Sequence, residues 1–154
     1  MSRYVIVPCT LAHLRRLAVT LRPEDRAEIE MAGLVPRHAL AALWRLSPMP
    51  RAAIVDGEVA AAWGDTAALL SDEGSVWLFT SPAVARLPLA FYREARAQIA
   101  EWLGSRQVLR AHAADSYRAA IRFFTLLGFS IGEPVLFAKG FYCEMTIERP
   151  PSGI

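Results

Sequence analysis

Two side chains able to carry protons stand close together in the chain: His112, near the end of VLRAHA, and Tyr117, inside DSYRAAIRFFTLLGF. An imidazole can take or give a proton near neutrality, and a phenol can give one, so either can serve a transfer reaction if it faces a cleft. The commoner use of both types is structural, as a packed tyrosine and a hydrogen-bonded histidine. His13 and His38 sit singly on helical runs. Cys9 and Cys143 lie in apolar strand-like stretches without short metal-type spacing and read as buried free thiols, so no metal site is expected. G-x-S-x-G, H-E-x-x-H and P-loop patterns are all missing, which removes the hydrolase, zinc-enzyme and nucleotide triphosphatase readings that need them.

These residues are positioned by an alternation of strand and helix signals. Tyr4 to Pro8 is a short β run, and Thr10 can cap a helix with Leu11, Leu14, Leu17, Ala18 and Leu21 on one face. Pro23 suits a first helical turn, with Glu24 and Asp25 favourable beside its positive end, and Gly33 a stop. Pro36 opens another helix, with Leu40, Leu43 and Trp44 on one side, ending near Ser47-Pro48. RAAIVDGEVAAAWG, residues 51 to 64, is a hairpin around Asp56-Gly57, and DEG leads into SVWLFT, a strand apolar on both faces. Pro88 to Gly104 is an amphipathic helix with Tyr92, Ala95, Ile99 and Trp102 inward. After the strand Val108 to Ala113, Asp115 or Ser116 caps a helix whose Tyr117, Ala120, Ile121, Phe124 and Leu127 form a stripe ended by Gly128. Two β runs, Ser130 to Phe137 and Phe141 to Ile147, turn at Lys139-Gly140.

With 154 residues, 54% hydrophobic and 21% charged, the chain is one domain long and can bury a core. The expected domain runs from 4 to 149, with residues 150–154 as a flexible tail. A net charge of +2, with arginines scattered among acids, gives no basic stripe, so nucleic acid is not expected. No segment approaches the ~20 apolar residues that cross a bilayer, and MSRYVIVPCTLAHLRR lacks a secretory apolar core. The expectation is a soluble protein of a reducing compartment. The tryptophans Trp44, Trp63, Trp77 and Trp102 fall in apolar periodic runs and read as core or interface.

The condensed order β-α-α-β-β-β-α-β-α-β-β is that of the GNAT acetyltransferase fold, and AIRFFTLLGFSI at 120 to 131 is similar to that family's helix and strand after the splayed central strands. LRPEDRAEIEMAGLVP, IVDGEVAAAWGD, VWLFTS and the same helix together resemble a family of small tailed-phage proteins described as internal virion protein A-like, GNAT-like in fold. The resemblance spans roughly Tyr4 to Arg149. The expected fold class is therefore α/β, a GNAT-like single domain with a mixed, mostly antiparallel sheet flanked by helices.

The resemblance implies a coenzyme A site and also shows it depleted. GNAT enzymes follow the strand equivalent to SVWLFT with a glycine-containing loop whose N–H groups hold the pyrophosphate. Here the loop is SPAVARLPLA, without glycine, and Pro82 and Pro88 each remove a donor. Arg86 can offer charge to a phosphate, with a solvated surface arginine as the equal alternative. Phe124 stands at the tyrosine that commonly protonates the departing thiolate, and Tyr117 stands where asparagine is usual. Two functions follow from the resemblance. The first is a phage-type protein, cytoplasmic in a host or virion-associated, that uses the frame to bind a phage or host protein without robust acetyl transfer. The second is an acetyl-CoA-dependent N-acetyltransferase, with Leu78, Phe79 and Thr80 holding the pantetheine, Arg86 the pyrophosphate, and Tyr117 or His112 moving protons. Weak acetyl-CoA binding that depends on Arg86 is the corresponding expectation.

Overall fold

The computed structural model describes residues 3–66 and 71–152. The chain runs β1 (Tyr4–Pro8), α1 (Leu11–Thr20), α2 (Pro23–Met31), α3 (Pro36–Leu46), β2 (Arg51–Val55), β3 (Glu58–Thr66), β4 (Glu73–Thr80), a 3-10 turn (Pro82–Arg86), α4 (Leu89–Ser105), β5 (Val108–Ala114), α5 (Arg118–Leu126), β6 (Ser130–Ile131), β7 (Val135–Phe137) and β8 (Gly140–Glu148). Three helices separate β1 from β2, one more than the condensed order allowed. Pro150 to Ser152 carry no regular structure, and the last two residues of the expected tail, 153 and 154, lie outside the described residues.

One eight-stranded sheet organises the molecule in the order β1-β2-β3-β4-β5-β8-β6, with β7 also on β8. All pairs are antiparallel except β4 with β5. One face packs on α1 and α3 through Leu14, Leu17, Leu40, Ala62 and Trp77, and the other on α4 and α5 through Ile99, Leu103, Leu109, Phe124 and Met145. Thr10 caps α1, accepting from the His13 N–H while the His13 ring accepts from the Thr10 N–H. The tryptophans pack in the core as expected, Trp63 and Trp77 buried and Trp44 and Trp102 partly buried, and Trp44 donates to the Cys9 carbonyl and Trp77 to the Ser47 hydroxyl, each at 2.8 Å. Cys9 and Cys143 are buried free thiols. Among the described residues no helix is long and apolar enough to cross a membrane, and no group of acids, histidines and cysteines is placed to hold a metal ion.

Asp56 and Gly57 make the β2–β3 turn with φ of 49° and 80°. Both angles are left-handed, which is what a two-residue hairpin requires. Gly57→Val is expected to lower stability by about 1–3 kcal/mol in denaturant unfolding, since a β-branched residue resists positive φ even where there is open space. Unchanged unfolding would contradict it.

Three local expectations are corrected. The residue preceding α5 is Tyr117, with no side-chain cap, because the Asp115 carboxylate accepts instead from the Cys143 thiol at 3.4 Å. The run 130–137 is not one strand: residues 132–134 interrupt it, and Pro134 can donate nothing to a ladder. The last turn lies at Ala138-Lys139, and Gly140 is already in β8, where a Cβ would stand 1.9 Å from the Met31 methyl. The missing Cβ is what lets Met31, at the end of α2, lie against β8.

Candidate active site

β4 and β5 pair only from Glu73–Ser75 to Val108–Arg110, then part. Each stays bound to its outer neighbour, β4 to β3 as far as Thr80 and β5 to β8 as far as Ala114, so the gap between them has no ladder. A cavity of about 440 Å³ fills this split, lined from β4 by Leu78, Phe79 and Thr80, from β5 by His112 and Ala113, and from α5 by Tyr117, Ala120 and Phe124. The Ser81 N–H goes to the Ala60 carbonyl on β3, and strand groups alternate sides, so the backbone groups of Thr80 and Leu78 point into the split. Those of Leu78 meet no strand partner there.

Helix α2 lies across the mouth of the split and is tied to both strand ends. At its start the Arg22 N–H donates to the Thr80 carbonyl at 2.9 Å. Asp25 Oδ2 accepts from the Thr80 N–H at 3.1 Å, the Thr80 hydroxyl and the Tyr117 hydroxyl at 3.3 Å. One turn on, Glu28 Oε1 accepts from the Ala114 N–H, and the Glu28 carbonyl accepts from the Tyr142 hydroxyl at 2.7 Å. The Asp115 N–H turns toward β8, so that of Ala114 faces the split. Three residues apart on one helix, Asp25 and Glu28 share a face, and both line the cavity.

Their surroundings make these acids unlike surface carboxylates. Burial pushes the Glu28 carboxyl up to about 7; the Ala114 N–H opposes the shift and the nearby Asp25 charge adds to it. Asp25, only 2% exposed, is also raised by burial, against the pull of the Thr80 and Tyr117 hydrogen bonds and the Arg22 charge. The Tyr117 phenol is pushed up to about 12, first by burial and then by Asp25. Arg22 stacks over the Tyr117 ring at 5.7 Å. A carboxyl poised near 7 inside a cleft can take a proton from a protonated amine at neutral pH.

The residues singled out in the sequence divide into two groups. Leu78, Phe79, Thr80, His112 and Tyr117 all line the split. Within it, the Phe79 side chain packs beside Trp77 in the α1–α3 core and its backbone pairs with Ala62 of β3, while the Thr80 backbone is held by α2. His112 is half-exposed on β5, 3.2 Å from Glu144 Oε2, and makes no hydrogen bond to Tyr117 or Glu28. Arg86 is not at the cavity: its guanidinium pairs with Asp56 at 3.0 Å and with Glu58, across the hairpin turn. Arg86→Ala is expected to change acetyl-CoA affinity by no more than about twofold in a calorimetric titration, because these exposed pairs hold the arginine away from the split. A tenfold loss would return Arg86 to the anion site. Asp25 and Glu28 were missed, although both lie on the stripe of α2 that also carries buried Ile29. An acid on an inward-facing stripe was the available signal.

No family model matches the chain, and no curated protein matches it. Among solved structures it is similar to the GNAT-family acetyltransferase of Streptococcus pneumoniae, at 13% identity over 96% of this chain and 100% of that one, with a TM-score of 0.65. It is also similar to the aminoglycoside acetyltransferase AAC(6')-Ib in complex with coenzyme A, at 18% identity over 96% and 95% with a TM-score of 0.66. A third is YncA of Salmonella typhimurium, a putative acetyltransferase with acetyl-CoA, at 14% identity over 98% and 96% with a TM-score of 0.62. The fold is thus GNAT-like, an α/β domain with a mixed sheet flanked by helices. At these identities the likeness speaks for the fold, and the site must carry the chemistry.

Proposed function

We propose that the chain is an N-acetyltransferase-type enzyme that moves a small acyl group from a thioester to an amine, with Glu28 as general base. The observation that carries this reading is a carboxyl raised to about 7, lining the cavity where β4 and β5 part. The open backbone of Leu78 can pair with an extended amide-bearing arm, as a strand edge does with an added strand. The amine arrives protonated, and Glu28 accepts one proton from it. The nitrogen then bonds to the acyl carbon as the carbon–sulfur bond breaks. The nitrogen's second proton passes to solvent, and solvent protonates the leaving thiolate. Tyr117, a weaker acid than a thiol and bonded to Asp25, acts here as a positioning residue. The negative face of α2 favours a cationic acceptor.

The test is thiol release from S-acetyl-pantetheine in the presence of a panel of primary amines, with the amides identified by mass spectrometry. Amine-dependent thiol release supports the reading; none with any amine contradicts it.

A second reading, a frame used to bind a phage or host protein without transfer, is favoured by one observation. Val135, Leu136, Phe137 and Phe141 on the β7–β8 hairpin are 56–64% exposed, an apolar cluster of the kind interfaces use. Tight protein capture combined with inert thioester chemistry would favour that reading.

A further inference from the structure

The outer edge of the sheet has a geometry that does not depend on the chemistry of the split. β6 and β7 form that edge on β8, and among the described residues no strand lies beyond them. Phe141, opposite Leu136 in the β7–β8 register, accepts the Asp115 N–H at 2.9 Å with its carbonyl and so faces β5. An antiparallel pair exchanges bonds only at alternate residues, so Leu136 turns its own N–H and C=O away from β8, to the open edge. Neither face of this edge is covered: Val135, Leu136 and Phe137 are 61–64% exposed. Val135 and Phe137 share one face with Tyr142, whose ring stands 6.0 Å from that of Phe137, and Leu136 lies on the other face with exposed Phe141. The hairpin is held in place by α2, where the Met31 carbonyl accepts the Lys139 N–H at 3.2 Å and the Glu28 carbonyl accepts from the Tyr142 hydroxyl at 2.7 Å. A fixed, open, apolar edge is a template for another strand.

The residues of the edge themselves indicate which strand. When two such edges pair antiparallel about Leu136, the two Leu136 residues exchange N–H and C=O bonds, and residues equally far before and after Leu136 stand opposite each other. Val135 of one copy then meets Phe137 of the other, and three residues out on each side Glu133 meets Lys139. Glu133 and Lys139 are both exposed, and neither forms an ion pair among the described residues. The segment is therefore complementary to itself in backbone, apolar side chains and charge, and one pairing uses up the β7 edge of each copy. We propose that a second copy of this chain covers β7, in a two-fold dimer whose sheets join antiparallel across Leu136. Pro134 on one side and the turn at Ala138-Lys139 on the other keep the joint ladder short, so the association is weak and reversible.

Sedimentation equilibrium of the full chain from about 1 to about 300 µM tests this, with a monomer–dimer equilibrium of dissociation constant on the order of 10 µM as the expected result. Leu136→Glu sets two carboxylates against each other at the centre and is expected to weaken the dimer at least about tenfold. Its far-ultraviolet circular dichroism should match the native chain, since Leu136 is 63% exposed in the monomer. Glu133→Lys brings like charges together at both ends and is expected to weaken the dimer about tenfold; adding Lys139→Glu should restore it to within about threefold of native. A monomer at every concentration would overturn the proposal, as would masses that grow beyond the dimer. So would a dimer indifferent to Leu136→Glu, or one that the exchange of charges between 133 and 139 fails to restore.

Discussion

Glu28→Gln is expected to lose nearly all acyl transfer and yet to unfold less readily in mild alkali. Removing a general base lowers turnover on the order of 10² to 10⁴-fold. Glutamine keeps an oxygen to accept the Ala114 N–H, so the tie between α2 and β5 survives. The stability change follows from the raised carboxyl. In the unfolded chain Glu28 titrates near the ordinary 4.5, and in the folded protein at about 7. Below 4.5 both states hold the proton; between 4.5 and 7 the unfolded chain ionises while burial keeps the folded carboxyl neutral, so stability falls, and above 7 both are ionised with the folded carboxylate still disfavoured. Glutamine escapes that loss. The variant should therefore gain about 1–3 kcal/mol relative to the native chain above pH 7 and nothing at pH 4, allowing for the side chain being only partly buried. Urea unfolding at the two pH values, beside thiol-release kinetics, checks both halves. Equal activity, or destabilisation at pH 8, would show that Glu28 is only a structural tie.

The other large effect is in the core. Phe124, 5% exposed, stands edge-on to Phe129 at 5.1 Å between centroids and to Phe123 at 5.9 Å. It closes the inner end of the cavity, and its carbonyl accepts the N–H groups of Leu127 and Phe129 where α5 ends. Phe124→Ala is expected to cost about 3–5 kcal/mol by leaving a void among aromatic rings that cannot collapse onto it. For a chain of this size the corresponding fall in Tm is on the order of 10 °C. A cost under about 1 kcal/mol would mean that the site relaxes and that the ring does not support the helix.

The sequence made the strands and helices legible where local chemistry decides them. Asp56-Gly57 could only be a tight turn, and Thr10, Pro23 and Pro36 each start a helix for a reason visible within four residues. The stripe of α5 from Tyr117 to Leu127 was equally plain, and Phe124 is buried as the stripe required. In the long helix Ile99 is buried as expected, Phe91 and Leu103 are buried with it, and Tyr92, Ala95 and Trp102 are partly buried at their flank. Arg86 and the acids of α2 were not legible because their roles depend on long-range placement. Nothing local to SPAVARLPLA shows that the 56–58 turn brings two carboxylates to its arginine. Asp25 and Glu28 look like ordinary acids of a first helical turn until α2 is laid across the ends of β4 and β5.

The central claim is that Glu28 works as a base inside the split, and the pH dependence of kcat/KM for the amine tests it most directly. The account predicts an acid limb with an apparent pKa near 7, moving to lower pH in Asp25→Asn because the charge that helps raise Glu28 is gone. A profile that stays flat down to pH 5, or a limb that does not move in Asp25→Asn, would contradict it.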